Sequence, residues 1–384
     1  MDLTEYRNRI DAIDAQLLTL FKERMGISEE IAKRKLAEGK PVLVPQRERE
    51  VLQHAAEAAG PALANEARML FSTIMSLSRG VQERLMAAGH RNALVDAIRK
   101  ALETSPEFLP DMPTVACCGV EGAFAFLAAD KALSNPRISG MRNFDAVALA
   151  VDKGLCQYGI LPIENSSFGT VKEVYDLLGK YRFSIVKALR LHVRHCLLAK
   201  PGVRLQDIRE VVTHAQAAGQ CREFLGTALK GAHVTTGLNT AVAAKMVGEG
   251  DRMDLAAVAS RECAALYGLE VLQEDIQDHD NNYTRFICIT RDLCICPGAN
   301  RISLMLRLPH RVGSLSLLIS RFASLGLNLT KLESVPLPGS DFEFSFYFDF
   351  EASVRTPGVI DLLAELSAST EHFLFLGNYT EAAP

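Results

Sequence analysis

The sequence predicts a multidomain chain in three parts: an all-α region, an α/β region and a small α+β region. Three observations carry this. Residues 1 to 88 repeat apolar side chains at helical spacing without strand-like alternation. Residues 113 to 290 alternate short β-rich runs with helical ones, the rhythm of α/β domains with mostly parallel sheets, here as one body or two lobes. From about residue 300 the order becomes strand, helix, strand, strand, helix, strand. At 384 residues the chain exceeds what one hydrophobic core usually holds.

In the first part, Gly39, Pro41, Pro45, Gly60 and Pro61 cut the region into a long helix, about 4 to 38, and two shorter ones, about 46 to 59 and 62 to 88. Ile10, Ile13, Leu17, Leu20, Ile27 and Ile31 form an apolar stripe on a helix of roughly 50 Å. Two short partners cannot cover such a stripe, so a homodimer or higher oligomer is expected. Residues 89 to 112 end in the proline-rich linker ETSPEFLPDMP.

The α/β part reads as TVACCGV, a helix from Gly122, QYGILPI, a helix from about Thr170, then EVVTH, QAAGQCREFLGTAL, LAAVAS, RECAALYGL and FICIT. After CPGAN, the strands RISLMLRL, NLTKLESV, FEFSFYFDF and HFLFLG alternate with helices GSLSLLISRFASLG and GVIDLLAELSAS over 300 to 380. That order is the split βαβ, ferredoxin-like arrangement.

Net charge is −4 and the pI about 6.2, which gives no reason to expect a nucleic-acid or membrane partner. No apolar run is long enough to span a bilayer, and the opening MDLTEYRNRIDAID is charged, so the expected location is cytoplasmic. Nine cysteines, with Cys117, Cys196 and Cys288 in apolar runs, suit reduced buried thiols rather than a disulfide framework. Cys294 with Cys296, and His192 with His195, are too sparse for a metal set, and no metal or cofactor is expected.

Polar residues gather in two places. In the helical part, Arg24 and Lys35 fall on nearly one face about 16 Å apart, whereas Arg7 lies about 25 Å before Arg24 and could join them only from an antiparallel partner. Arg47 and Glu48 sit on the second helix; Ser78 and Gln82 are an i, i+4 pair on the third. Several cations, one carboxylate and neutral donors suit a small dianion. Each of these charges taken singly reads better as solvated surface, and only their joint pattern argues for a site.

This helical pattern resembles the all-helical chorismate mutase family. The resemblance implies rearrangement of chorismate to prephenate at Arg7, Arg24, Lys35, Arg47, Glu48, Ser78 and Gln82, with Lys35 and Gln82 stabilising the breaking ether oxygen. Val44 stands where that family often has an acidic residue.

In the α/β part, Gly119 to Gly122, Glu164 to Ser167, Thr213 to Gln216, Ser260 and the stretch NNYTRF lie where strands meet helices, the rim on which open sheets bind ligands. Helix capping explains Asn165, Ser166 and Thr213 equally well. LPIENSSFGTVKEVYDLL, HCLLAKPG, THAQAAGQC, YGLEVL and NNYTRF resemble prephenate dehydratases, a two-lobed, periplasmic-binding-protein-like fold. The resemblance implies loss of CO2 and the ring hydroxyl from prephenate, with Thr284 as proton donor and His214 as the alternative acid. It adds Asn165, Ser166, Thr213, His214, Arg285 and Phe286 as substrate contacts. Alternation nonetheless puts Thr284 and Phe286 on one strand face and Arg285 on the other. Ala125 replaces the hydroxyl residue usual in the first loop of that family.

The C-terminal part resembles an ACT domain, which implies L-phenylalanine binding at Gly313, Ser314, Leu315, Glu333 and Ser334, with Val335 in place of the family's arginine. The three resemblances in this order imply a bifunctional chorismate mutase and prephenate dehydratase of phenylalanine biosynthesis, regulated by its product. Two other readings stay open: a mutase with a weak or arogenate-preferring dehydratase, and a ligand-sensing binding protein.

Overall fold

The structure is a computed structural model and describes residues 2–87, 92–310, 313–336, 344–370 and 372–382. The expected boundary at 88–89, the linker residues 89–91, and Phe342 and Glu343 of the expected strand lie outside the described residues.

In chain order the elements are α1 (Leu3–Glu38), α2 (Pro45–Ala59), α3 (Ala64–Ala87), α4 (Ala93–Thr104), β1 (Thr114–Cys118), α5 (Phe124–Ala132), β2 (Arg137–Met141), α6 (Phe144–Asp152), β3 (Tyr158–Asn165), β4 (Gly169–Thr170), α7 (Lys172–Tyr181) and β5 (Ser184–His192). They continue as β6 (Cys196–Ala199), β7 (Glu210–Thr213), α8 (Ala215–Gln220), α9 (Arg222–Thr227), β8 (His233–Thr236), α10 (Thr240–Glu249), β9 (Leu255–Ala259), α11 (Glu262–Leu266), β10 (Glu270–Gln273) and β11 (Tyr283–Thr290). The last are β12 (Arg301–Arg307), α12 (Ser314–Ser324), β13 (Asn328–Pro336), β14 (Phe344–Glu351), α13 (Val359–Ser369) and β15 (Leu374–Ala382). The described residues form two compact units, one within 1–96, 307–327 and 355–373, the other within 97–306, 328–354 and 374–384.

In the first unit α1 starts on a capping box, Asp2 accepting from the Glu5 amide at 2.8 Å while the Glu5 carboxylate accepts from the Asp2 amide at 3.0 Å. Along its 36 residues only Ser28 and Ala32 are buried. Ile10, Ile13, Leu17, Leu20, Ile27 and Ile31 stay exposed, Leu20 at 62%. On α3 and the C-terminal helices, Arg84 and Arg321 both pair with the buried Glu365.

The second unit holds two sheets. The five-stranded one has the order β10-β6-β9-β7-β8. The ten-stranded one runs β13-β14-β12-β15-β5-β11-β3-β1-β2, with β4 added beside β3. Its first four strands keep the ferredoxin-like order, and β15 then lies parallel to β5, Thr380 opposite Lys187. Gly377 permits that approach, since a Cβ there would stand 2.4 Å from the Ile185 carbonyl oxygen. The sequence predicts mostly parallel sheets, and the FICIT strand departs from that: β11 is antiparallel to both β3 and β5. The reason is chain routing, for β11 returns from the second sheet rather than through a helical crossover.

The chain crosses between sheets twice, after β5 and before β11, and the crossings are tied where Val193 N donates to Asn282 O at 2.8 Å. After β9, Ser260 Oγ donates to Gly122 O at 2.8 Å. There a Cβ on Gly122 would lie 2.7 Å from Cys263 Sγ, so glycine allows the loop after β1 to seat on α11.

Candidate active sites

Between the two sheets lies a cleft of about 430 Å³. One wall presents Phe124, Asn165, Thr284 and Phe286; the other presents His214, Gln216, Gln220 and Asn239. Register explains the first wall. Thr284 on β11 pairs with Asn165 on β3, and both are nearly buried. Asn165 Oδ1 accepts from the Ser167 and Phe168 amides at 2.9 and 3.0 Å, which turns its Nδ2 toward Thr284 Oγ1 at 2.9 Å and Asn282 Oδ1 at 3.0 Å. Thr284 Oγ1 thus accepts from Asn165 and keeps its own proton for donation.

Helices begin at this cleft, among them α5 at Phe124, α6 after Asn143 and α10 at Thr240, after Asn239. Asn143 Oδ1 accepts from Ala146 N and Asn239 Oδ1 from Ala241 N, so each caps its helix. Their N-terminal dipoles and Arg142 favour anions, while Glu173 supplies one carboxylate.

Not all expected residues meet here. His214 does line the cleft, its Nδ1 accepting from Gln216 N at 3.3 Å as the cap of α8. Thr213 is fully buried, its hydroxyl spent on the Val258 carbonyl at 2.8 Å. Ser166 Oγ donates to Asn281 O at 2.7 Å and accepts from Tyr283 N at 2.9 Å, which pins the turn rather than facing the cleft. Both corrections have one cause: a hydroxyl at a strand end is claimed by the nearest unpaired backbone group.

Arg285 corrects the expectation of an anion holder. Strand alternation turns it to the opposite face, where it pairs with Asp349, with Glu381 at 3.1 Å and with the Tyr379 hydroxyl at 3.0 Å. Its neighbour across the ladder, Glu164, pairs with Lys331 of β13 at 3.0 Å. Each cleft residue, Thr284 and Asn165, is thus followed or preceded by a charge tied to the C-terminal strands. Sequence reasoning missed His195, Gln220, Asn282 and Arg142. Only the polar run ending in NNYTRF offered a signal, for Asn282.

In the helical unit, Arg24 donates to Ser78, and Lys35 reaches Gln82 Oε1 at 3.4 Å and the Val42 carbonyl at 2.6 Å. Ser78 and Gln82 are buried. Burial lowers the Lys35 pKa below its ordinary value, and Glu48 acts in the opposite sense; burial lowers that of Arg24 too. Glu48 is held by Arg79, a residue the sequence pattern did not single out. Arg47 turns to solvent beside Glu50 at 3.4 Å and does not join them, because adjacent helical positions diverge by about 100°. Arg7 is likewise exposed on the first turns of α1.

Gly313, Ser314 and Leu315 open α12, Gly313 with φ of 86°. Glu333 and Ser334 lie on β13, and the adjacent Val335 is buried with Tyr347 in an apolar core. No described helix is long and apolar enough to cross a membrane.

Residues 115–293 match the family model of prephenate dehydratase, and residues 6–83 match chorismate mutase type II. Arogenate dehydratase/prephenate dehydratase 2, chloroplastic, of Arabidopsis thaliana is 38% identical over 280 residues, 69% of this chain and 72% of that protein. The bifunctional chorismate mutase/prephenate dehydratase of Neisseria gonorrhoeae is 29% identical over 382 residues, 99% of this chain and 97% of that protein. Among solved structures, the prephenate dehydratase of Arthrobacter aurescens in complex with L-Phe superposes with a TM-score of 0.64 at 30% identity, over 70% of this chain and 90% of that one. GqqA, described as a novel type of quorum-quenching acylase, has a TM-score of 0.62 at 32% identity, over 70% and 98%. This chain belongs to the prephenate dehydratase family, in the bifunctional form that carries a chorismate mutase type II region ahead of the dehydratase.

Proposed function

We propose that the chain converts chorismate to prephenate in the helical unit and prephenate to phenylpyruvate, CO2 and water in the cleft. The observation that carries the dehydratase reading is Thr284, whose hydroxyl accepts from Asn165 and so has a proton to give at a cleft ringed by helix N-termini. As the C–C bond to the ring carboxylate breaks, its electron pair enters the ring and expels the hydroxyl. Thr284 protonates that oxygen, which leaves as water, and Asn165 Nδ2 stabilises charge on Oγ1 until solvent restores the proton. Arg142 and the helix N-termini hold the substrate carboxylates. His214 lines the facing wall as the alternative acid, and Phe286 packs against the ring.

For the mutase, Arg24 and Lys35 clamp the dianion, Lys35 and Gln82 stabilise the ether oxygen, and Ser78 and Glu48 orient the rest. Arg7 comes from a second copy of the chain, paired along the exposed face of α1, so the enzyme works as a homodimer or larger. By the ACT resemblance, Gly313, Ser314 and Leu315 on the one hand and Glu333 and Ser334 on the other serve as L-phenylalanine contacts in regulation, and the Arthrobacter relative is a complex with L-Phe. The test is phenylpyruvate absorbance with purified protein, on prephenate and then on chorismate, with and without phenylalanine. Turnover of both substrates, depressed by millimolar phenylalanine, is expected. Turnover of neither contradicts the reading, and turnover indifferent to phenylalanine removes the regulatory part.

A further inference from the structure

The dehydratase cleft contains a buried acceptor that the chemistry above leaves unused. The amides leading to it are oriented from the backbone outward. Asn165 Oδ1 is fixed by two backbone amides, so its Nδ2 donates to Asn282 Oδ1 at 3.0 Å. Gln220 must therefore present Nε2 to that same oxygen, at 3.2 Å, and its Oε1 to His195 Nε2, at 2.7 Å. His195 then carries its proton on Nε2 and leaves Nδ1 as a bare lone pair.

Nδ1 is buried without a hydrogen-bond partner, on a ring 2% exposed that lines the cleft. The ring is rigidly held: His195 N donates to Gln277 Oε1 at 2.9 Å, its carbonyl accepts from Ile276 N at 3.0 Å, and Phe124 packs against it edge-on. Burial lowers the pKa of the imidazole, which keeps it neutral at pH 7. A fixed, neutral, unpaired acceptor beside a binding cleft is incomplete until a donor arrives.

We infer that His195 Nδ1 is a substrate-contacting acceptor that takes a hydrogen bond from an O–H or N–H group of the dehydratase substrate. The inference rests on the dehydratase reading of the cleft. Prephenate offers one such donor, its ring hydroxyl; arogenate, its side-chain amino counterpart, offers an ammonium as well. A neutral lone pair attracts an ammonium and repels the keto oxygen that replaces it in prephenate, so His195 bears on which of the two the cleft prefers.

Two substitutions separate the contact from the scaffold. In His195→Gln an amide nitrogen still reaches Gln220 while the Nδ1 acceptor is gone; in His195→Asn an oxygen stands near the Nδ1 position while the link to Gln220 is lost. We expect kcat/KM to fall about tenfold in His195→Gln, on both substrates if the ring hydroxyl donates and on arogenate alone if the ammonium does, with His195→Asn retaining more activity. Wild-type values for His195→Gln on both substrates, or an equal fall in both variants alongside a lower Tm, would overturn the inference. A wild-type enzyme inert on both substrates would instead overturn the dehydratase reading, and the inference with it.

Discussion

The cleft of the α/β unit gathers its polar residues within one chain, whereas those of the helical unit adjoin a long helix whose apolar face stays exposed. In the cleft the key groups are short. Thr284 and Asn165 are set by strand register and by backbone hydrogen bonds, so their geometry is fixed to within the stiffness of a sheet. In the helical unit they are long cations, Arg24 and Lys35, held by single contacts to Ser78, Gln82 and the Val42 carbonyl. A pericyclic reaction needs orientation and charge, which long cations from two copies can supply. A dehydration needs a proton at one atom, which calls for a short rigid donor.

If the two sites are independent, damage to one should spare the other. Gln82→Ala is expected to lower the mutase kcat by roughly 10²- to 10³-fold while leaving phenylpyruvate formation from prephenate unchanged, as steady-state assays on each substrate will read. An equal loss in both activities would break the comparison.

Sharing across copies gives the next test. Arg7→Ala and Gln82→Ala chains, each a poor mutase alone, should regain activity when mixed and allowed to exchange, because one mixed site carries neither lesion. Dilution should lower mutase turnover before dehydratase turnover. Restoration absent from mixed chains would place Arg7 outside the site.

Arg285 distinguishes stability from chemistry. Removing one partner of a buried pair costs roughly 3–5 kcal/mol, so Arg285→Leu should lower Tm by many degrees through stranded Asp349 and Glu381. The mutase reaction should survive below the new Tm. Unchanged Tm would show that the pair contributes nothing.

The smallest effect is on pH. Burial lowers the Lys35 pKa, and its cationic form is the one that binds, so mutase kcat/KM should fall as pH rises through a value below the ordinary lysine value. Lys35→Arg should move that alkaline limb upward, and a limb unmoved by the substitution would assign it to another group.

Much of this was legible in the sequence. Helical spacing announced α1, and the βαββαβ order announced the C-terminal strand arrangement. Alternation at Thr284 and Phe286 foretold which face of β11 meets the cleft. The rest depended on contacts between residues far apart in the chain. Arg285 looked like an anion holder because its partners Asp349 and Glu381 lie on strands that join this sheet only through β15 beside β5. His195 read with His192 only as a sparse metal pair, and its tautomer follows from an amide chain that no local pattern encodes. Thr213 and Ser166 were polar in the right places, yet backbone groups claimed them.

The central claim is that Thr284 supplies the proton while the mutase site works without it. The direct measurement is Thr284→Val, which keeps the shape and removes the hydroxyl, supplied with chorismate and followed for prephenate and phenylpyruvate together. The account predicts that prephenate accumulates at the wild-type rate while phenylpyruvate formation falls by at least about 10²-fold. Phenylpyruvate appearing at the wild-type rate would contradict it.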